Sequence, residues 1–229
     1  EFFAEKNDGK FDSLAYTGIS RLPNPYIALF NDTNYAYLTW NSRLSNRRML
    51  PETDVSFGGY APADYFYNER IHTGSNAYSL GRTFIDIISD PRYVVGEGYG
   101  LGIQQGQTSQ TYFTNYGIYQ SPSLPVYIKA CYSGASENYL AAGYDHQIRI
   151  EYLNNSNTLS ILHDTTFLGY EQINLARQLP ASQLNPGAYF RVTSVNNPLF
   201  SGITNVSKMH YIFVKYPQSP DLGGDSEQF

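Results

Sequence analysis

The strongest pattern along the chain runs from Gln147 to Asp164. Ile148, Ile150 and Tyr152 alternate with Gln147, Arg149 and Glu151, the period of two that turns one face of a strand to a core and the other to water. Asn154-Asn155-Ser156-Asn157 comes next, a cluster whose side chains bond their own backbone and tolerate left-handed φ. Leu159 and Ile161 then alternate with Thr158 and Ser160. The stretch predicts a β-hairpin. Further strands are predicted at 26–30, 35–40, 83–88, 101–105, 126–132, 190–195 and 211–216, with Gly, Pro, Asn and Ser between them. A helical period is nearly absent. Residues 171–179 offer one or two helical turns ended by Pro180, or an extended loop.

This pattern predicts an all-β fold, an antiparallel β-sandwich of the concanavalin-like jelly-roll kind. Residues 1–216 are expected to form one domain with an irregular N-terminal arm. The segment 217–229, rich in Pro, Gly, Asp and Ser, reads as a C-terminal tail or linker. A chain of 229 residues can bury a sizeable core without disulfides or metals. The opening Glu1-Phe2-Phe3, without Met, reads as a processed or excised chain. Gly96, Gly98, Gly100 and Gly102 fall at every second position. In an extended segment they share one face, bare enough for another backbone or a flat ligand to approach, unless the segment is only a turn. The spacing is not that of a dinucleotide fingerprint.

Composition narrows the function. Charged residues are 15% of the chain and aromatic residues 16%, with 22 tyrosines, which argues against disorder. The net charge of −5 is scattered, and Arg47-Arg48 is the one adjacent basic pair. No basic patch is present to displace phosphate counterions, so nucleic acid is not an expected partner. No apolar run reaches the length of a membrane span. The single Cys131 lies in the apolar run 126–132 and reads as a buried, inert thiol. Sequons stand at Asn31, Asn154 and Asn205, permissive for a secreted protein.

Catalytic patterns are missing. His72, His146, His163 and His210 are far apart, with no HExxH and no Cys/His cluster. There is no G-x-S-x-G elbow. A glycosidase on this kind of fold would present two carboxylates on one strand face. The acid-x-acid pairs at Glu52/Asp54 and Asp225/Glu227 fall outside the predicted strands. Asp86 and Asp90 share a face only if the strand stays regular, and Pro91 breaks it. The chain therefore reads as no enzyme. No cofactor is required; calcium, held by Asp86 and Asp90 as oxygen ligands, is the one candidate, against a plain ion pair and turn.

Tyr112, Asn115, Tyr116 and Tyr119 crowd one predicted loop, and Asn138, Tyr139 and Tyr144 another. Tyrosine has a flat apolar face with a polar tip, and Asn both donates and accepts. Sugar rings, apolar on their C–H faces and edged by hydroxyls, suit that mixture, although β-propensity alone enriches tyrosine. The candidate carbohydrate contacts are Asp86, Tyr99, Tyr112, Asn115, Tyr116, Asn138, Tyr139 and Asn196.

The hairpin and the segments C-terminal to it resemble the second half of an L-type (legume-type) lectin domain. The segment from His146 to Tyr152, the turn Asn154-Asn155-Ser156-Asn157 and Thr158-Leu159-Ser160-Ile161 stand where that family has an alternating strand, a polar turn and a T-L-S-V-like strand. Asn174-Leu175, Leu179-Pro180 before 189–195, and the final strand at 209–216 come in the family's order. Upstream, Phe84-Ile85-Asp86 and Asp90-Pro91 resemble its metal-loop strand, and Gly100-Leu101-Gly102-Ile103 the strand after it. The likeness spans about residues 80–216 and implies a concanavalin-like sandwich that binds sugar. The chain departs from the family's Asp-Gly pair, its acidic pair and its metal-loop Asn, which puts calcium in doubt. The reading is a noncatalytic carbohydrate-binding or receptor-binding module of a surface adhesin or a virion or phage fibre. It would be secreted or displayed on a cell or virion, bind a glycan or glycosylated host receptor, and gain avidity as a homo-oligomer. A structural capsid-type protein and a polysaccharide-cleaving enzyme are the alternatives.

Overall fold

The computed structural model describes residues 8–9, 12–16, 22–29, 33, 42, 53, 56–59, 61, 63–75, 77–85, 88–89, 93–109, 117–138, 143–196 and 205–220. Their strands are β1 (Phe66–Thr73), β2 (Ala77–Leu80), β3 (Thr83–Ile85), β4 (Ile88–Ser89), β5 (Glu97–Gln104), β6 (Thr108–Ser109), β7 (Pro125–Gly134), β8 (His146–Leu153), β9 (Leu159–Phe167), β10 (Gln172–Pro180), β11 (Phe190–Ser194) and β12 (Val206–Gln218). Every pairing among them is antiparallel. The protein is an antiparallel β-sandwich, as the pattern predicts.

One sheet runs β10-β7-β12-β5-β2, and β1 also pairs with β12. The long β12 is the axis of this sheet: residues 206–209 pair with β5, and residues 211–218 pair with β1. The opposing sheet runs β6-β11-β8-β9. Val126, Ile128, Ala130 and Tyr132 of β7 alternate inward, as do Ile212, Val214 and Tyr216 of β12. They meet Ile148 and Ile150 of β8 and Phe190 and Val192 of β11 in one core. Fully burying an Ile or Phe side chain contributes about 1.5–3 kcal/mol, so this interdigitated layer dominates stability.

The β8–β9 hairpin forms where the alternation places it, and its Asn cluster closes the turn. Asn157 adopts φ 58°. Asn154 Oδ1 accepts the N–H groups of Ser156 and Thr158, while its amide donates to Thr158 and Ser160. The sequon amide is thus committed to the turn. Asn205, in another sequon, is buried.

Four stretches differ from the sequence expectation. Residues 171–179 are not helical; β10 pairs with β7 over its whole length. Ile173, Leu175 and Leu179 pack on the core while Asn174, Ala176 and Gln178 face outward, a period of two that Pro180 can close because edge strands spare it a donor. Residues 26–29 form turns rather than a strand, since the Asn24 carboxamide captures the Tyr26 N–H at 3.2 Å. The single strand expected at 83–88 is split into the paired β3 and β4. Pro217 and Gln218, assigned by composition to the tail, complete β12. The strand expected at 35–40 lies outside the described residues.

The glycine face of β5 is met by another part of the chain. A Cβ on Gly98 would strike the Pro23 ring, and one on Gly100 the Lys208 and His210 side chains, whereas Gly102 faces open space. Cys131 is buried, with Gln172 Nε2 at 3.4 Å from its sulfur, and burial pushes its thiol up to about 12. We expect an aromatic disulfide reagent at pH 8 to leave Cys131 unmodified until denaturant is added, whereas rapid labelling of the native protein would contradict this burial.

Candidate functional site

The outer faces of the two sheets differ in chemistry. On the β6-β11-β8-β9 sheet, charged side chains satisfy one another. Arg149 Nε and Nη2 clamp Asp164 at 2.8 and 2.7 Å, and Arg191 clamps Glu151 in the same way. Gln147 also donates to Asp164. This face has spent its hydrogen bonds across its own strands.

The outer face of the β1, β12 and β7 strands is aromatic. Period-two alternation sends Tyr67, Glu69 and Ile71 of β1 outward, together with Phe213 and Lys215 of β12 and Tyr127 and Lys129 of β7. Registers align them in rows: Glu69, Lys215 and Tyr127 lie side by side, as do Ile71, Phe213 and Lys129. The Tyr119 N–H donates to the Pro217 carbonyl, which extends the row of Tyr67 and Pro217. Tyr65 stacks on Tyr119 with centroids 5.4 Å apart and meets the Tyr67 ring edge-on at 5.9 Å. Tyr67 is 37% exposed, Tyr127 39% and Ile71 44%, so the platform offers apolar surface to solvent.

Polar tips border this platform. Lys215 Nζ lies 2.8 Å from Glu69 Oε1 and 5.8 Å from the Tyr67 ring centre. Lys129 Nζ stands 5.8 Å from the Phe213 ring centre. Burial, with Tyr127 and Tyr65 nearby, raises the Tyr67 hydroxyl above its ordinary value, so it remains a donor and bonds the Pro125 carbonyl at 3.3 Å. Beyond Tyr127 the surface dips into a groove of about 340 Å³ between Pro122–Pro125 and Gln178–Pro180. Platform and groove cross β1, β12, β7 and β10, three strand spacings or roughly 14 Å.

A second tyrosine cluster surrounds Glu97. Its carboxylate accepts the Tyr78 hydroxyl at 2.7 Å and the Val94 N–H at 3.0 Å. Tyr16 stacks on Tyr93 and donates to the Glu97 carbonyl, and Tyr99 packs edge-on against Tyr78. Here the acid is already satisfied by the Tyr78 hydroxyl and the Val94 N–H.

Two Ser–His pairs have the elements of nucleophilic catalysis but not the access. His210 is buried, with Nδ1 donating to the Tyr99 carbonyl at 2.7 Å and Nε2 2.8 Å from Ser133. His146 Nε2 donates to the Ser136 carbonyl at 2.9 Å, and its Nδ1 faces Ser207 at 3.3 Å. Ser133 and Ser207 are wholly buried. Both pairs tie strands together. Among the described residues no group of three His, Cys, Asp or Glu side chains could hold a metal ion, and no helix is long and apolar enough to cross a membrane.

No family model and no curated protein matches the chain. Solved structures similar to it include an arabinose-bound MgGH51 α-L-arabinofuranosidase, at 16% identity and TM-score 0.34. That match covers 68% of this chain and 23% of the other, so the chain spans about a quarter of that enzyme's length. The CBM22-1 xylan-binding domain of Paenibacillus barcinonensis Xyn10C is similar at 7% identity and TM-score 0.28, covering 63% of this chain and 98% of that one. The CBM36-1 domain of a multidomain xylanase from the hindgut metagenome of Trinervitermes trinervoides is similar at 10% and 0.27, covering 64% and 96%.

The residues picked from sequence do not converge on the platform. Tyr99 belongs to the Glu97 cluster. Asn138 gives its N–H to Asp145 at 2.7 Å, and Asn196 accepts Gln105 at 3.1 Å; both sit at the end of the sandwich where β12 begins. Asp86, Asp90, Tyr112, Asn115, Tyr116 and Tyr139 lie outside the described residues. Tyr119, from the first tyrosine-rich loop, does reach the platform. The platform residues Tyr65, Tyr67, Tyr127, Phe213, Lys129 and Lys215 are not among those singled out from the sequence. Alternation of Tyr65, Tyr67, Glu69 and Ile71 was the available signal, masked because Phe66, Asn68, Arg70 and His72 on the other face are equally mixed.

Proposed function

We propose that the chain is a noncatalytic carbohydrate-binding or receptor-binding module that attaches to glycans through the outer face of β1, β12 and β7. The carrying observation is the surface of exposed Tyr67 and Tyr127 beside half-buried Phe213, bordered by Lys129, Lys215 and Glu69, on one sheet. Flat rings cover the C–H faces of sugars, and the polar rim receives their hydroxyls. An open platform binds weakly per site, which suits repeated display on a surface adhesin or a virion or phage fibre.

The test is affinity electrophoresis and calorimetry of the protein against a panel of polysaccharides and host glycoproteins. Tyr67→Ala and Tyr127→Ala each remove a stacking ring, and loss of its buried area, about 1.5–3 kcal/mol, is expected to weaken binding about tenfold or more. Thr166→Ala, on the outer face of the other sheet, is expected to bind as the parent does. Binding is expected to persist in chelator, because the platform's one carboxylate among the described residues, Glu69, is already paired with Lys215. Failure to bind any glycan or glycoprotein, or full binding by Tyr67→Ala, would overturn the proposal.

A further inference from the structure

The cations of the described sheet faces are not equivalent. Arg149 and Arg191 are clamped by carboxylates, and Lys215 is held by Glu69. Lys129 is exposed on β7 and stands over the Phe213 ring, with no carboxylate within ion-pair distance among the described residues. Its cross-strand neighbours, Phe213 and Ala176, carry no charge. The diagonal positions on β12 and β10 are Tyr211, Lys215, Asn174 and Gln178, so among the described residues of these strands' outer face Glu69, already engaged, is the one anion. In a chain of net charge −5, the platform therefore carries one uncompensated positive charge beside its aromatic rings.

Among the described residues, no side chain is seen to close the platform at either end. Tyr65 and Tyr119 open it on one side, and the groove between Pro125 and Pro180 continues it on the other. A surface of this shape admits the interior of a chain as readily as a terminus, with the ligand crossing the strands.

We propose that the ligand of this face is an extended anionic polysaccharide segment, bearing carboxylate or sulfate groups, whose charge is received by Lys129 while its rings lie on Tyr67 and Tyr127. The inference rests on the carbohydrate-binding reading above and specifies its ligand class. The ammonium is exposed and borders Phe213, so its contact with an anionic group is modest and sensitive to salt.

The experiment compares polygalacturonate and a sulfated galactan with a neutral glucan of similar length, by calorimetry at low and high salt, on the parent and Lys129→Met. Methionine keeps the apolar stem against Phe213 and removes the charge, and an unchanged melting temperature verifies folding. The expected result is that an acidic polymer binds tighter than the neutral one, weakens as salt rises, and loses about fivefold in Lys129→Met. Equal binding of the neutral glucan with no effect of Lys129→Met would overturn the anionic ligand and leave the carbohydrate reading intact. Equal binding of polyglutamate would overturn it as well, since charge alone would then be read. Absence of binding to every polysaccharide would overturn both.

Discussion

Asp145→Ala is expected to destabilise the protein by about 3–5 kcal/mol, read as a fall in the denaturation midpoint at unchanged slope. Asp145 is buried immediately before β8 and ties three segments together. Its Oδ2 accepts the Asn138 N–H and its Oδ1 the Gly169 N–H, each at 2.7 Å. Its backbone carbonyl accepts the Asn205 amide, from the residue that precedes β12. Alanine removes the acceptor of the buried Gly169 N–H and of the half-buried Asn138 N–H, and losing a buried hydrogen-bond partner costs about 1–3 kcal/mol. Asp145→Asn should fall between alanine and the parent, because a carboxamide can accept one of the two N–H groups but turns its NH2 toward the other. An alanine variant as stable as the parent would show that these loops do not depend on the carboxylate.

The second large effect is a loss of stability in mild acid centred on His210. This residue is the extra one in the β-bulge of β12, where the register against β7 slips between Met209 and Tyr211. Its carbonyl accepts the Gly74 N–H at 2.9 Å and the Asn24 amide at 2.8 Å, so it joins β12, the β1–β2 turn and the N-terminal segment. Burial is the main cause that lowers its imidazole to about 4, with nearby Lys208 adding to the effect and the bond to the Tyr99 carbonyl opposing it. The folded protein therefore resists a proton that the unfolded chain, near 6.5, takes up readily. Stability is full above about pH 6.5 and is lost as pH falls toward about 4, by about 3 kcal/mol for this one group. His72 and His163, also lowered chiefly by burial, act in the same direction. Chemical denaturation from pH 7 to 4 measures the slope, and His210→Gln should reduce it. A parent protein equally stable at both ends of that range would contradict the assignment.

The fold was legible where side chains alternate cleanly. β8 and β9 could be read because Ile148, Ile150 and Tyr152 face a core while Arg149 and Glu151 form cross-strand ion pairs, so each position declares its side. β10 was not legible, because Asn174, Ala176, Arg177 and Gln178 are compatible with a helix until β7 is seen beside them. The N-terminal turn at 24–29 was misread because Tyr26, Ile27 and Leu29 look like a strand, while the Asn24 side chain that bends the backbone acts locally and leaves no periodic trace.

The site was less legible than the fold. Tyrosine enrichment pointed to a recognition surface, but the residues of the platform come from β1, β7 and β12, which are distant in sequence and meet only through sheet register. Tyr67 and Tyr127 are separated by β12 and brought near each other by Lys215, which pairs with Glu69 and Tyr127. Loops rich in tyrosine and asparagine drew attention away from strands whose outward faces carry the rings.

The most direct measurement of glycan binding by this face is saturation-transfer and chemical-shift NMR on the protein with an oligosaccharide identified by the binding panel. Perturbations are expected to concentrate on Tyr67, Ile71, Tyr127, Lys129 and Phe213, with the sugar C–H protons shifted by the rings. Perturbations confined to Arg149, Glu151 and Arg191 on the opposite sheet, or to Asn138 and Asn196 at the loop end, would contradict it.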